Sequence, residues 1–374
     1  MNVWRYECEI CGHHEEIATR LWRCPVEGGA FKLLGPNTLT PEHIDLGEPT
    51  LWRYASLLPV ARPDHYSLGE GLTPLVPGTL AGRNVWFKND AALPTGSFKD
   101  RGAAILVAHL ASLGLDRLIV DSSGNAAAAM AGFCAAAGIG CTVYAPANAS
   151  PGKLVQARAY GATVIPVEGN RDAVASAAQD GVDNDPSSFY ASHNWHAVFV
   201  EGVKTWAYEV WEQLGGRLPA AAFIPTGGGS AFVGGRRGFD AVPGTLPALI
   251  AAQPAACAPI LTAFESDAQD IAPVTPGDTM AEGAKIGAPS RGRQILSALR
   301  ESGGWAEAVT EDDIAAALRE LWSQGLYVEP NAAVGAAAFR VAIREGKPIL
   351  EGDTVVLLTG NGLKATETIG ELLG

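Results

Sequence analysis

The sequence lacks several features that would each place it in a large class of proteins. No apolar run reaches the roughly 20 residues that a membrane-spanning helix needs, and the N-terminal segment has no apolar core typical of a secretion signal. Basic residues are too few for a nucleic-acid-binding surface, since 27 lysines and arginines stand against 40 acidic residues. These absences favour a soluble cytoplasmic protein that acts on a small molecule, with neither nucleic acid nor membrane as a partner.

The chain also lacks the glycine fingerprint of a nicotinamide-dependent oxidoreductase. Its run Gly227-Gly228-Gly229-Ser230 does not continue as G-x-G-x-x-G. The run instead offers backbone N–H groups directly after a predicted strand, and such groups suit a phosphate. Small polar turns follow two further predicted strands, at 122–125 and 359–362. Because open α/β sheets bind ligands at the carboxyl ends of their strands, all three turns are candidate ligand contacts.

Cysteine is scarce, and its six copies divide into two groups. Three lie in apolar stretches and are expected to be buried: Cys134, Cys141 and Cys257. The others form two segments that look like the knuckles of a zinc ribbon: Cys8-Glu9-Ile10-Cys11-Gly12 and Cys24-Pro25-Val26-Glu27-Gly28. Glu27 takes the place of a fourth cysteine. Two interpretations stay open: a zinc ion that Glu27, His13 or His14 helps to bind, and a ribbon that has lost its metal.

Beyond about residue 66, strand and helix signals alternate. Short apolar segments predict strands at 118–121, 141–144, 163–167, 222–225, 261–264 and 354–358. Longer segments predict helices at 126–137, 152–160, 171–178, 204–214 and from 310 onward. This alternation is typical of an α/β protein with parallel sheets covered by helices on both faces. We therefore expect two doubly wound domains that face a cleft.

The segment Leu93-Pro-Thr-Gly-Ser-Phe-Lys-Asp-Arg-Gly102 places one lysine at the start of a predicted helix. Ser97 and Asp100 have the spacing of a capping box. At that position Lys99 lies at the positive end of the helix dipole, which disfavours its ammonium form, and burial acts in the same direction. A lysine that deprotonates readily can form a Schiff base with an aldehyde cofactor. Spacing alone favours an ordinary solvated lysine at a helix start.

The stretch PTGSFKDRG closely resembles the pyridoxal-phosphate lysine motif of the threonine synthase family. Further segments with counterparts in that family cover nearly the whole chain: 68–75, 201–205, 282–287, 325–330 and 359–364. The resemblance implies a fold type II pyridoxal-phosphate enzyme with the cofactor in the cleft, and a homodimer. The cysteine segments mark residues 1–66 as an N-terminal arm with a zinc-ribbon-like part. The resemblance implies a large domain, 67–98 with 200–374, and a small domain, 99–199.

The resemblance assigns roles residue by residue. Lys99 carries the cofactor and later takes the proton from the substrate's Cα. The other cofactor contacts are Phe98, Asn125 at the phenolic oxygen, Thr359 at the pyridine nitrogen, and the phosphate-binding residues Gly227, Gly228, Gly229 and Ser230. The substrate contacts are Ser122, Ser123, Gly124, Ala126, His193, Asn194 and Lys204. A neutral hydroxyl at Thr359 cannot hold a full pyridinium, which favours chemistry where a leaving group departs quickly.

Three positions depart from the family pattern: Leu93, Ala126 and Phe199. Phe199 replaces the arginine expected to clamp a substrate phosphate, and Lys88, Lys204 and Arg101 are its candidate replacements.

The first hypothesis is a lyase of threonine synthase type that converts O-phosphohomoserine to threonine. The second is a repurposed enzyme for β-elimination or β-replacement on serine, threonine or O-phosphoserine, of the dehydratase or cysteate-synthase kind. A non-catalytic protein that only binds pyridoxal phosphate is the third. His193 and His196 are either substrate contacts, a second acid or base, or packed structural residues.

Overall fold

The computed structural model describes residues 4–149, 151–185, 187–349 and 351–374. Residues 1–3, the start of the N-terminal segment in which we expect no secretion signal, lie outside the described residues. The described residues fall into two compact units. One takes in Met1–Gly71, Leu93–Thr95 and Lys99–Val203, and the other takes in Leu72–Ala92, Gly96–Phe98 and Lys204–Gly374. Among the described residues, no helix combines the length and the apolar character needed to cross a membrane.

The secondary structure alternates as the sequence pattern predicts. The strands are β1 Arg5–Cys8, β2 His14–Glu16, β3 Phe31–Leu34, β4 Leu75–Leu80, β5 Arg83–Asn89, β6 Arg117–Asp121, β7 Gly140–Pro146, β8 Thr163–Val167, β9 Phe189–Tyr190, β10 Ala221–Pro225, β11 Ala248–Pro254, β12 Trp305–Val309 and β13 Thr354–Leu358. The helices are α1 Lys99–Ser112, α2 Asn125–Ala137, α3 Pro151–Ala159, α4 Arg171–Asn184, α5 Ala197–Val203, α6 Thr205–Gln213, α7 Ser230–Phe239, α8 Pro259–Glu265, α9 Gly292–Glu301, α10 Glu311–Ser323, α11 Pro330–Arg344 and α12 Thr366–Leu373. The α/β class with parallel sheets is thus confirmed.

The first unit carries a parallel sheet in the order β8-β7-β6-β9. Helix α2 is rich in alanine, the best helix former, and it ends where Gly138 adopts a left-handed φ of 69°. Helix α4 begins at Asn170, whose side chain accepts a hydrogen bond from the Ala173 N–H. The N-terminal strands β1 to β3 form a small antiparallel sheet in the order β2-β1-β3. Whether the N-terminal segment forms a separate domain stays a prediction.

The second unit is built on the sheet β12-β11-β10-β13-β5-β4, parallel except at the edge strand β4. Helix α11 covers its centre, and the Phe223 and Phe339 rings meet edge to face at 5.2 Å. Gly335 permits this close approach, since a Cβ there would lie 3.1 Å from the Phe223 carbonyl oxygen. Each large apolar side chain buried in this core contributes about 1.5–3 kcal/mol.

Two local predictions are wrong. The segment 261–264 is not a strand but part of helix α8, which begins with Pro259 at its first turn. The strand that pairs in the sheet is β11, a similar short apolar run that the pattern alone does not distinguish from a helix segment. The capping box is also absent: Asp100 instead accepts the Thr95 N–H at 2.7 Å, and the buried Ser97 hydroxyl has no hydrogen-bond partner among the described residues.

Candidate active site

Lys99 is the first residue of helix α1, as the motif predicts. The loop before α1 is fixed by Asp100, whose carboxylate accepts hydrogen bonds from both the N–H and the hydroxyl of Thr95. The residue before the lysine, Phe98, donates its N–H to the Thr359 carbonyl oxygen at 2.9 Å. A short antiparallel bridge pairs Ser97 with Gly360. These contacts fix the backbone on both sides of the start of α1.

Burial lowers the pKa of the Lys99 amine from 10.5 to about 7, and the positive charge of Arg171 acts in the same direction. About half of the amine is therefore neutral near pH 7. A neutral amine is the form that attacks an aldehyde and accepts a proton. The side chain also passes the Phe199 ring, with Nζ 5.5 Å from the ring centroid.

The other predicted cofactor and substrate contacts of the first unit follow the ends of two of its strands, β6 and β9. Strands β6 and β9 are parallel neighbours, so their carboxyl ends lie at the same edge of the sheet. The turn Ser122–Gly124 follows β6 and leads into α2, whose first residue is Asn125. His193 and Asn194 follow β9. The structure thus brings both groups to one sheet edge.

His193 is buried at this edge, and its Nδ1 has no hydrogen-bond partner among the described residues. Burial first, then the charges of Lys99 and Arg171, hold the pKa of His193 well below its usual range. The ring is neutral at physiological pH and presents a buried polar atom that a bound ligand can satisfy. His196 is different: its ring packs edge-on against those of Tyr6 and Phe189, which is a structural role.

Phe199 lies on α5, fully buried. Its ring covers Gly102 of α1, where a Cβ would come within 2.4 Å of the ring. It also contacts the His193 ring edge to face, at 6.0 Å between centroids. The position that the family resemblance reserves for a phosphate-clamping arginine is therefore an apolar wall beside Lys99.

The second unit carries the glycine-rich turn. Strand β10 ends at Pro225, and helix α7 begins at Ser230 with Gly229 as its N-cap. Gly229 has a φ of 93°, and a Cβ there would lie 2.5 Å from Ile295. A Cβ on Gly227 would lie 2.9 Å from the Ala284 backbone. Glycine is therefore required at both positions, and the turn leads into a helix N-terminus, which suits an anion.

Thr359 follows β13, the parallel neighbour of β10. The glycine-rich turn and Thr359 thus lie at the same edge of the second sheet. Lys204, in contrast, is fully buried at the N-cap of α6, with its ammonium 5.5 Å from the centroid of the Tyr208 ring. Lys88 is paired with Glu209, Nζ to Oε2 at 2.6 Å, with neither side chain exposed. Both lysines are therefore buried, and a contact of Lys204 with the substrate stays a prediction.

Sequence reasoning missed Arg171, the exposed first residue of α4. Its positive charge lowers the pKa of both Lys99 and His193, and it favours the charged form of Asp121. The motifs do not predict a role for Arg171, because an arginine at a helix start that is distant from Lys99 in the chain is expected to be an ordinary surface residue. Only the fold brings its charge into the surroundings of the lysine.

These features fit pyridoxal phosphate. In the first unit they are an amine that titrates near pH 7 and a buried imidazole nitrogen with no partner among the described residues. In the second unit they are a side-chain-free turn at a helix N-terminus. The amine suits the aldehyde of the cofactor, and the turn suits its phosphate. The buried amine and the buried imidazole nitrogen would each be costly in a protein without a ligand, since burial of poorly paired polar groups destabilises the fold.

Comparison with known proteins points to the same cofactor, pyridoxal phosphate. Residues 66–360 match the family model described as pyridoxal-phosphate dependent enzyme. The chain is 32% identical to the threonine synthase of Methanocaldococcus jannaschii, with 96% of this chain and 92% of that protein covered. It is 32% identical to the threonine synthase of Methanosarcina acetivorans, with 98% and 94% covered.

Solved structures resemble it in fold. A fungal L-serine ammonia-lyase from Rhizomucor miehei matches with a TM-score of 0.72 at 23% identity, covering 80% of this chain and 97% of that one. Threonine deaminase isoform 2 from Solanum lycopersicum matches with a TM-score of 0.71 at 22% identity, covering 91% and 97%. Both similarities are at the level of the fold.

Proposed function

We propose a reaction and a set of residue roles from one premise: this chain belongs to the threonine synthase family of pyridoxal-phosphate-dependent enzymes. It is a pyridoxal-phosphate-dependent lyase, which sets aside the non-catalytic alternative. When bound, pyridoxal phosphate supplies an electron sink for the electron pair left at a substrate Cα. In our proposal Lys99 carries the cofactor and then, as a neutral amine, takes the Cα proton.

The remaining roles follow from the chemistry of each group. The N–H groups of Gly227, Gly228, Gly229 and Ser230 bind the cofactor phosphate at the start of α7. Asn125 binds the phenolic oxygen, Thr359 faces the pyridine nitrogen, and Phe98 lines the ring. The turn Ser122–Gly124 with Ala126 binds the substrate carboxylate at the start of α2. His193 and Asn194 position the substrate, and neutral His193 offers its Nδ1 as a hydrogen-bond acceptor.

The first candidate reaction converts O-phosphohomoserine to threonine. It is supported by the threonine synthases that resemble this chain over almost its whole length. The observation that carries it in the structure is the charge of Arg171, which acts on Lys99 and His193 alike. A cation there attracts a substrate phosphate even though position 199 holds no arginine.

The second candidate is elimination or replacement at Cβ of serine, threonine or O-phosphoserine. It is favoured by Phe199, whose buried ring lies beside Lys99 and leaves no charged clamp at that position. An apolar wall suits serine and threonine, whose leaving group is uncharged. O-phosphoserine, which carries a charged phosphate, would need a cation such as Arg171 instead.

One substrate panel separates the two candidates. The holoenzyme is given O-phospho-L-homoserine, O-phospho-L-serine, L-serine and L-threonine, and phosphate, threonine and oxo acids are measured. Threonine formed from O-phosphohomoserine supports the first candidate. Oxo acid or phosphate from the other substrates, with no turnover of O-phosphohomoserine, supports the second. No turnover of any of the four contradicts both.

A variant tests the role of Arg171. We expect Arg171→Gln to lower kcat/KM for O-phosphohomoserine about tenfold to a hundredfold, the equivalent of a lost charge-assisted hydrogen bond of about 1.5–3 kcal/mol. Turnover of a substrate without a phosphate, such as L-serine, should change little. Arg158→Gln, at an exposed arginine on α3, is the matched control. Equal effects of the two variants would exclude a substrate contact at Arg171.

The assembly and location stay predictions. We expect a homodimer in the cytoplasm, as the family resemblance implies. Sedimentation of the purified holoenzyme at micromolar concentration measures its oligomeric state. A monomer at that concentration would contradict the predicted homodimer.

A further inference from the structure

The N-terminal segment brings three thiols together, away from the residues assigned above to catalysis. The Sγ atoms of Cys8, Cys11 and Cys24 all lie within 4.8 Å of one another. Cys11 and Cys24 are 3.8 Å apart. Zinc–sulfur bonds of about 2.3 Å in a tetrahedral site place two sulfurs about 3.8 Å apart, so this spacing already fits a shared ion. It is far too long for a disulfide.

The two cysteine turns have the same backbone structure. In the first, Cys8 donates its N–H to the His13 carbonyl, and its own carbonyl accepts the Gly12 N–H. In the second, Cys24 donates to the Gly29 carbonyl and accepts from Gly28 in the same way. The two glycines have φ values of 69° and 68°. Superposition of one turn on the other therefore makes Cys8 equivalent to Cys24, and Cys11 equivalent to Glu27.

This equivalence identifies the fourth member of the set. Among the described residues, the group within 4.8 Å holds the three thiols and not Glu27. Glu27 is exposed at the position equivalent to Cys11, and its carboxylate must turn toward the thiols to take the fourth corner. A carboxylate is an ordinary zinc ligand, with a bond of about 2.0–2.2 Å. The two histidines nearby are placed differently, since His13 bonds Glu15 at 2.9 Å and His14 faces Glu7 at 3.5 Å.

The backbone around Cys24 has the geometry of a metal-binding knuckle. The Val26 N–H points at the Cys24 sulfur at 3.4 Å, as backbone amides do toward metal-bound thiolates. Cys8 and Cys24 are buried while Cys11 and Glu27 are exposed, so the outer half of the site is open to an incoming ion. An odd number of thiols also leaves one unpaired in any disulfide arrangement.

We propose that Cys8, Cys11 and Cys24 bind one zinc ion as thiolates and that the Glu27 carboxylate completes its coordination. Binding releases the thiol protons to solvent and involves no oxidation. The ion ties the turn after β1 to the turn before β3. It thereby stabilises the N-terminal segment, which packs through Tyr6 of β1 against His196 and through Trp22, between β2 and β3, against Tyr190.

The test uses the full-length protein, purified under reducing conditions from zinc-supplemented cells. We expect about one zinc per chain by plasma mass spectrometry, and loss of that zinc in Cys11→Ser. Cys257→Ser, at a buried cysteine outside the cluster, is the matched control and should keep the metal. Circular dichroism confirms that each variant folds. Metal-free wild type, or equal zinc in Cys11→Ser and wild type, would overturn the proposal.

Cobalt reports on the ligands directly. Titration of the zinc-depleted protein with Co²⁺ should produce thiolate-to-cobalt charge-transfer bands and the visible bands of a tetrahedral site. Glu27→Ala should weaken cobalt binding about tenfold or more, and Glu27→Cys should strengthen it and increase the charge-transfer intensity. Tetrahedral bands that do not respond to either change at Glu27 would overturn its role as a ligand. Absence of bands in the wild type would overturn the site as a whole.

Discussion

At the scale of single residues, Lys99 is the best-predicted feature of this chain. The motif around it places it at the start of a helix, and α1 begins there. The direction of its pKa shift also follows from the sequence, but its main cause does not. Burial contributes most and Arg171 second, and both arise from residues that are distant in the chain. The capping box failed for a related reason: Ser97 is drawn into a bridge with Gly360 that no local pattern encodes.

The lowered pKa of Lys99 makes the stability of the cofactor-free protein depend on pH. Its pKa is about 7 in the folded state and about 10.5 when unfolded, so between these values the unfolded chain holds one more proton. Stability should therefore rise with pH from about 7 to 10, by up to about 1.4 kcal/mol per unit, relative to Lys99→Met. Urea unfolding of both proteins across that range measures it. A difference that stays constant with pH would contradict a neutral buried amine.

At the scale of elements, strand ends and close helix contacts decide the site. The strand–turn–helix pattern predicts that 122–125 and 227–230 follow strands, and both do. It does not predict which strands are neighbours. The pairing of β6 with β9 and of β10 with β13 sets that, because parallel strands deliver their carboxyl ends to one edge.

Helices α1 and α5 approach closely at Gly202. A Cβ there would lie 2.0 Å from the Arg101 carbonyl oxygen, a backbone atom that cannot swing away. We expect Gly202→Ala to destabilise the protein by about 1–3 kcal/mol through overpacking. Thermal or urea unfolding measures the loss. Gly370→Ala on α12 is the control: nothing lies within 4 Å of its Cβ, so alanine should be neutral or gain about 0.5–1 kcal/mol. Similar losses in both variants would refute the close approach.

Gly229 tests the phosphate-binding turn. Its φ of 93° and the nearby Ile295 side chain both oppose a Cβ. Gly229→Ala should therefore displace the turn and weaken pyridoxal phosphate binding about tenfold or more, measured by titration of the absorbance of the bound cofactor. Gly303→Ala is matched for backbone strain, with a φ of 63° and open space around it. It should lose stability while it keeps its cofactor affinity. If Gly229→Ala also keeps its affinity, the turn does not hold the phosphate.

At the scale of the whole molecule, ionic groups that sequence patterns treat as surface are buried. Glu209 accepts the Leu72 N–H at 2.8 Å and pairs with Lys88 at 2.6 Å. One carboxylate thus connects a loop, strand β5 and helix α6 inside the second unit. Composition cannot reveal this, since a glutamate on a helix is usually exposed.

Removing one partner of this pair should be costly. We expect Glu209→Ala to reduce stability by about 3–5 kcal/mol, because it leaves the Lys88 charge buried without its partner. Asp270→Ala, which breaks the exposed pair with Arg293, should cost no more than about 1 kcal/mol. The double variant Lys88→Met/Glu209→Met should recover much of the loss. A small effect of Glu209→Ala in urea unfolding would show that the pair is not desolvated as the structure has it.

The sequence by itself determined the α/β class, the cofactor and the lysine that we propose carries it, because these depend on local periodicity and on a contiguous motif around Lys99. The tertiary structure alone decided the surroundings of that lysine. Phe199 faces it and Arg171 acts on its charge, although both lie far along the chain. The same holds for the three thiols of Cys8, Cys11 and Cys24: the sequence predicts two knuckles, and only the fold brings the sulfurs within 4.8 Å of one another. Burial, charge and shared geometry are properties of neighbours in space, and a sequence pattern records only neighbours in the chain.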